Sequence, residues 1–113
     1  MGCLFCKIVA REIPSQIVYE NDHVLSFKDK NPQAPTHALV IPKKHMTGIH
    51  DAVEADKDML GELLFAGRHV AELLGLGEKG FRLVVNQGQD GGQSVFHLHL
   101  HVLGGRPLGW PPG

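Results

Sequence analysis

Ser94 to Gly105 reads SVFHLHLHVLGG, which places His97, His99 and His101 two residues apart with leucine between them. Imidazole balances its neutral and cationic forms near neutrality, so it can attack, carry a proton or bind a metal. In a β-strand, residues i, i+2 and i+4 project from one face, about 6.6 Å apart. The three histidines then share a face, and Leu98, Leu100 and Val102 fill the other. The leucine face is the core side. The histidine face must border a cleft or a site, because each buried imidazole without a partner costs about 1–3 kcal/mol.

Two uses of such a face compete. One is a metal site, but Cα atoms spread over about 13 Å cannot all bring ligands within about 2.1 Å of one ion. A pair of these histidines can ligate; all three cannot. The other is an oxyanion site, in which one imidazole attacks and its neighbours position the substrate or neutralise charge. The preceding loop, NQGQDGGQS, favours the second use. Asn86 and Ser94 are donors there, and Gly88, Gly91 and Gly92 let bare backbone N–H groups approach an anion. The loop lacks the Gly-Lys-Ser/Thr ending of a Walker motif.

The elements that must hold these residues follow from pattern. CKIVAREI predicts a short helix ended by Pro14. QIVYE and VLSFK are alternating runs separated by a turn composition, predicting a hairpin of Ile17–Glu20 and Val24–Lys28. DKNPQAPTH is a loop, and Ala38 to Pro42 is a third strand that Pro42 closes. From about Asp51 to Leu74 the period becomes helical, with Leu60, Leu63, Leu64, Gly67, Val70, Ala71 and Leu74 on one face. Asp51 and Glu54 resemble a capping box, and Gly75 and Gly77 end the helix. Gly61 and Gly67 are costly in a helix interior, which predicts close packing against a neighbour. Phe81 to Asn86 and Phe96 to Leu103 are the fourth and fifth strands. The expectation is an α+β domain over residues 1–113, with one long helix against an antiparallel sheet.

Composition narrows the partners. The chain has 113 residues, 42% hydrophobic and 20% charged, with a formal net charge of −1. That describes a soluble globular protein, with one core rather than two. Basic residues do not cluster beyond Lys43-Lys44, so no nucleic-acid stripe is expected. No apolar run is long enough for a membrane span and no signal peptide is read, so a cytoplasmic protein is the expectation. The opening Met-Gly lacks the Ser or Thr at position 6 that a myristoylation signal wants, because Cys6 stands there. Cys3 and Cys6 have the inner spacing of half a zinc site; redox chemistry and simple burial are the other uses of such a pair.

The alternation His97-Leu98-His99-Leu100-His101-Val102-Leu103 resembles the signature of the histidine triad (HIT) superfamily. PQAPTHALVIPKKH, VVNQGQDGGQSV and HVLGGRPLGWPPG resemble its histidine triad nucleotide-binding branch, so the likeness runs from Cys3 to Gly113. The resemblance implies a HIT-like fold with a five-stranded sheet, joined to a second sheet in a homodimer. It implies a purine nucleotide phosphoramidase that hydrolyses the P–N bond of adenosine 5′-phosphoramidates and some acyl adenylates, with AMP or GMP as bound nucleotide. His99 is then the nucleophile, and His101 with Asn86, Gly92, Gln93 and Ser94 holds the α-phosphate. Asp29 matches the carboxylate that binds the ribose hydroxyls. The residue after it, apolar and near the base in the family, is Lys30 here.

The same resemblance implies a structural zinc held by Cys3, Cys6, His45 and His97, with no metal needed for the chemistry. It also puts His37 near His97, while His23, His50 and His69 read as surface residues. Trp110, the single tryptophan, precedes Pro111-Pro112-Gly113 in a tail that the resemblance sends to the partner's cleft. Rival readings are a dinucleoside polyphosphate hydrolase of the same superfamily, a nucleotide-binding adaptor with incidental hydrolysis, and a zinc-dependent hydrolase.

Overall fold

The computed structural model describes residues 2–113. Five antiparallel strands form one sheet: β1 (Ile17–Glu20), β2 (Val24–Lys28), β3 (Thr36–Pro42), β4 (Phe81–Val85) and β5 (Leu100–Gly104). Their order is β1-β2-β3-β5-β4, so the histidine-bearing β5 is inserted between β3 and β4. The long helix α2 (Lys57–Leu73) covers one face. A short helix, α1 (Leu4–Val9), covers part of the other. The α+β architecture expected from pattern is the one observed.

The alternation of side chains explains the two layers. Val24, Ala38, Val40, Leu98, Leu100 and Val102 pack with Leu63, Ala66, Val70 and Ala71 of α2. Leu25, Phe27, Leu39 and Ile41 point the other way and pack with Phe5 and Ile8 of α1. Both faces are therefore covered, and the sheet centre is dry.

Element ends differ from expectation for local reasons. The N-terminal helix starts two residues before and ends four residues before the stretch CKIVAREI. Cys3 caps it, its Sγ accepting the Cys6 N–H at 3.3 Å, and Arg11 at φ 64° turns the chain away before Pro14. β3 starts two residues before Ala38. The long helix does not begin at Asp51: that stretch makes two short 3-10 turns, Ile49–Asp51 and Glu54–Asp56. Asp51 instead accepts from the Thr47 hydroxyl, while Asp56 Oδ2 accepts the Val53 N–H at 2.9 Å. The glycine-rich loop contains a four-residue helix, α3 (Gly88–Gly91). Leu64 is off the core face, 56% exposed beside Phe65 at 68%, and Ala66 takes the buried position.

The fifth strand begins at Leu100, four residues later than the hydrophobic pattern indicated. Antiparallel pairing sets Val40 opposite Leu100, so the next same-face position on β3 is Pro42. Proline has no N–H to give the ladder. The chain here leaves regular pairing, and the Leu98 N–H bonds the Met46 carbonyl at 2.6 Å instead. His97 and His99 thus stand just off the strand, while Leu98 keeps its place in the core.

The two helix glycines part company. A Cβ at Gly67 would lie 2.5 Å from Leu100 Cδ2 and 3.4 Å from Leu83 Cδ2, whereas at Gly61 it would meet nothing within 4 Å. Close packing holds for Gly67 and fails for Gly61. Gly67→Val is expected to lower the unfolding free energy by about 1–3 kcal/mol through overpacking. Gly61→Ala is expected to raise it by up to about 1 kcal/mol through helix propensity. Urea denaturation of both variants measures the two signs.

Candidate active site and metal cluster

A neutral imidazole has one proton, so fixing a hydrogen bond at one ring nitrogen assigns the other. His99 Nδ1 lies 2.7 Å from the carbonyl oxygen of His97, which can only accept. Nδ1 therefore carries the proton, and Nε2 presents a lone pair. His99 is 4% exposed and is held edge-on by the Phe5 ring, at 5.2 Å and 89°.

His101 has the opposite arrangement. The Gln33 backbone N–H donates to His37 Nδ1 at 3.0 Å, so the His37 proton is on Nε2. That group donates to His101 Nδ1 at 2.9 Å, with Asp29 Oδ2 also 3.4 Å from the same nitrogen. His101 then carries its proton on Nε2, which is buried and has no partner among the described residues. The His99 and His101 rings are 4.9 Å apart. A lone pair and an N–H donor thus stand side by side.

Burial keeps His37 and His101 neutral. It pushes His101 down to about 4, with His99 and His37 beside it pushing the same way and Asp29 opposing. Burial also lowers His37, against the pull of Asp29.

His99 and His101 open on a cleft of about 180 Å³ whose lining includes Asp29, Lys30 and Ser94. That is below the roughly 300–1,000 Å³ of sites that engulf a whole ligand, so it suits one ring system with the remainder along the rim. Much of its wall is apolar, formed by Leu4, Phe5, Ile8, Phe27 and Leu39. The loop stands alongside. Gln93 is buried and fully engaged: its Oε1 accepts the Gly88 N–H at 2.8 Å and its Nε2 donates to the Thr47 and Val95 carbonyls. The N–H groups of Gly92 and Gln93 close the turn onto Gln89 and Gly88. Gly92, at φ 81°, is in the left-handed region that favours glycine. These residues shape the turn that presents Ser94 to the cleft, with Asn86 half-buried at its start.

His97 points elsewhere. Its Nε2 donates to the Pro42 carbonyl at 2.8 Å, the oxygen at the end of the broken ladder. The Nδ1 lone pair is left facing Cys3 Sγ at 3.3 Å, Cys6 Sγ at 3.6 Å and His45 Nδ1 at 3.1 Å. Cys6 Sγ is also 3.3 Å from His45 Nδ1. All four ligand atoms lie within 4.8 Å of one another. A tetrahedral zinc with bonds of about 2.0–2.3 Å spaces its ligands by about 3.3–3.8 Å, so the donor set and spacing fit zinc. The bond to Pro42 orients the ring as outer contacts of metal-binding histidines do. Burial lowers the pKa of His97, with the Pro42 bond opposing, which keeps the ring neutral for ligation.

Asp29, His37 and His101 also place one ligand atom each within 4.8 Å. Protons count against a cation there, because the His37 nitrogen facing the group is the protonated one. The same test that fits the cysteine cluster to a metal disfavours this one.

The resemblance groups Asp29, Lys30, Asn86, Gly92, Gln93, Ser94, His99 and His101 around one nucleotide. Five of these, Asp29, Lys30, Ser94, His99 and His101, line one cleft. Asn86, Gly92 and Gln93 are not in its lining, and the Gln93 amide is taken up within the chain. Cys3, Cys6, His45 and His97 form the second cluster as expected. The resemblance also put His37 near His97. The structure sets His37 against His101, because Leu39 pairs with His101 and His37 is its diagonal neighbour. Gln33, Phe5 and Ser15 were not singled out; only strand register and the docking of α1 bring them to the site.

A sheet whose inner strand β5 and the segment leading into it carry alternating histidines, two of them set as lone pair and donor beside a cleft, defines a histidine-triad architecture. The HIT domain profile matches residues 10–108, and the chain belongs to that family. It is 52% identical over 112 residues to a 14 kDa zinc-binding protein of Zea mays, covering 97% of this chain and 87% of the relative. It is 50% identical over 112 residues to the adenylylsulfatase HINT1 of Arabidopsis thaliana, covering 97% and 76%. The crystal structure of a HIT family hydrolase from Legionella pneumophila superposes with a TM-score of 0.96 at 50% identity, over 99% of this chain and 100% of that one.

The titration of these rings gives a prediction. Unfolded histidine binds its proton near pH 6.5. The folded protein delays this at His37 and, to about 4, at His101. Between those values the unfolded chain holds more protons, so stability falls as pH drops through that window. His101→Gln is expected to flatten this fall in urea unfolding free energies measured from pH 7 to pH 4.

Proposed function

We propose that this protein is a purine nucleotide phosphoramidase that acts through a covalent nucleotidyl-histidine on His99. The observation that carries the reading is the pairing of the His99 Nε2 lone pair with the buried, unpartnered His101 Nε2–H over one cleft. A relative named for action on adenylyl sulfate and a solved relative described as a hydrolase support a nucleotidyl hydrolase. The phosphoramidate is the finer assignment.

In this scheme Asp29 takes the ribose hydroxyls and the α-phosphate lies between His99 and the loop. His99 Nε2 attacks phosphorus, the P–N bond breaks, and the amine leaves with a proton from the Ser94 hydroxyl, which the water of the next step gives back. Water then attacks the same phosphorus, the P–Nε2 bond breaks, and AMP departs with His99 restored. His101, Ser94 and Asn86 meet the charge on the non-bridging oxygens with fixed donors, while Gly92 and Gln93 hold the turn that places them. Zinc at Cys3, Cys6, His45 and His97 would supply a structural cross-link between the start of α1 and the histidine segment. The zinc-binding name of the maize relative supports it.

A homodimer belongs to the same proposal. β4 is a sheet edge, with Phe81 and Val85 each 37% exposed, and α2 exposes Phe65 and Leu73. An unpaired edge beside exposed apolar groups is a template for a second sheet. Trp110, 83% exposed, does not pack on its own chain and is available to a partner.

Two expected outcomes test the function. Rapid quench of the protein with ³²P-labelled AMP-amidate should give acid-labile label on the peptide containing His99. His99→Ala should lower kcat by at least about 10³-fold; turnover without a labelled histidine would sink the scheme. For the metal, protein refolded with zinc should hold one equivalent per chain, and Cys3→Ser with Cys6→Ser should hold none. Since α1 walls the cleft, the double variant should raise KM for the amidate more than it lowers kcat.

A further inference from the structure

The cleft beside His99 is lined by three polar residues that the proposed chemistry leaves unused, Ser15, Lys28 and Lys30. Its inner wall is apolar, built from Phe5, Ile8, Phe27 and Leu39, as a slot for a flat ring requires. Ser15 lines the same slot, and its Oγ is buried without a hydrogen-bond partner. Lys30 lines it as well. Lys43, Lys44 and Lys57 each pair with a carboxylate, but Lys30 is in no ion pair among the described residues. Its neighbour Asp29 makes no ion pair with it: Oδ1 accepts the Asn31 N–H at 2.8 Å and Oδ2 lies 3.4 Å from His37 Nε2, which leaves acceptor capacity on both oxygens.

We propose that Lys30, with Ser15 deeper in the slot, reads the edge of the bound purine and selects a 6-oxopurine nucleotide over a 6-aminopurine one. This rests on the nucleotide site proposed above and names its preferred base. Guanine and hypoxanthine present two neighbouring acceptors, N7 and O6, whereas adenine replaces O6 with an amino donor. A lysine ammonium has three donors and no acceptor. It pairs with the first edge and meets the second donor against donor. The Ser15 hydroxyl both donates and accepts, so it serves either ring and sets how deeply the base sits. A phosphate on the sugar is the other anion a lysine can meet here, but it would also approach the Asp29 carboxylate.

The test is calorimetric titration of GMP, AMP and adenosine 3′,5′-bisphosphate into the full chain and its Lys30→Met and Ser15→Ala variants. Lys30 is exposed, so Lys30→Met should keep the fold, which thermal unfolding checks. GMP should bind roughly five- to tenfold more tightly than AMP, the low end of what one base-edge contact discriminates. Lys30→Met should bring that ratio close to one by weakening GMP, and Ser15→Ala should weaken both nucleotides alike. A GMP-to-AMP ratio unchanged by Lys30→Met overturns the proposal. So does an equal loss for both nucleotides, which makes Lys30 a general attractor of anions, or a loss confined to the bisphosphate, which makes it a reader of sugar phosphate. Binding of GMP and AMP without base preference overturns this inference alone; binding of neither overturns the nucleotide site with it.

Discussion

A neutral imidazole has a single proton, and in this protein the backbone decides where it sits. Three fixed main-chain groups do so: the carbonyl of His97 for His99, the carbonyl of Pro42 for His97, and the N–H of Gln33 for His37 and, through it, His101. From these follow the lone pair that can attack, the lone pair that can ligate and the N–H that can meet an anion. Side chains with similar intrinsic chemistry take three roles because each is read by a different main-chain partner. Burial reinforces the assignment at His37, His97 and His101 by keeping those rings neutral, since a buried charged imidazole would lack compensation.

Pro42 has a particular part in this. The absence of its N–H ends the β3–β5 ladder at the Val40–Leu100 pair, three residues from His97, and its free carbonyl then becomes the hydrogen-bond partner that orients the His97 ring. Had pairing continued, that oxygen would have been a candidate for a strand bond and the His97 ring would have lost its anchor. The same break releases His97 and His99 from regular strand geometry. His97 can turn toward the cysteines while His99 faces the cleft beside His101.

Helix α1 joins the two sites. Cys3 and Cys6 stand in its first turn, and Phe5 between them packs edge-on against both His97 and His99. Leu4, Phe5 and Ile8 also form wall of the cleft. Anything that fixes the cysteines therefore fixes part of the ring slot and one side of His99. A six-residue helix has little stability of its own, so its place depends on these tertiary contacts.

The sequence alone determined what repeats locally. Alternation placed Leu98, Leu100 and Val102 against the histidines, and the same rule delineated the hairpin and the helical period of α2, because side-chain direction follows from backbone geometry one or two residues at a time. The family motif then grouped the residues of both sites. Tertiary structure decided what depends on register and on groups with no side-chain signature. The backbone N–H of Gln33 and the carbonyl of Pro42 are invisible in residue type, yet they set the protonation of His37, His101 and His97. Strand pairing moved His37 from the neighbourhood of His97 to that of His101, and packing against Leu100 explained Gly67 while leaving Gly61 unexplained. Those outcomes depend on contacts between segments far apart in the chain, where no local pattern carries information.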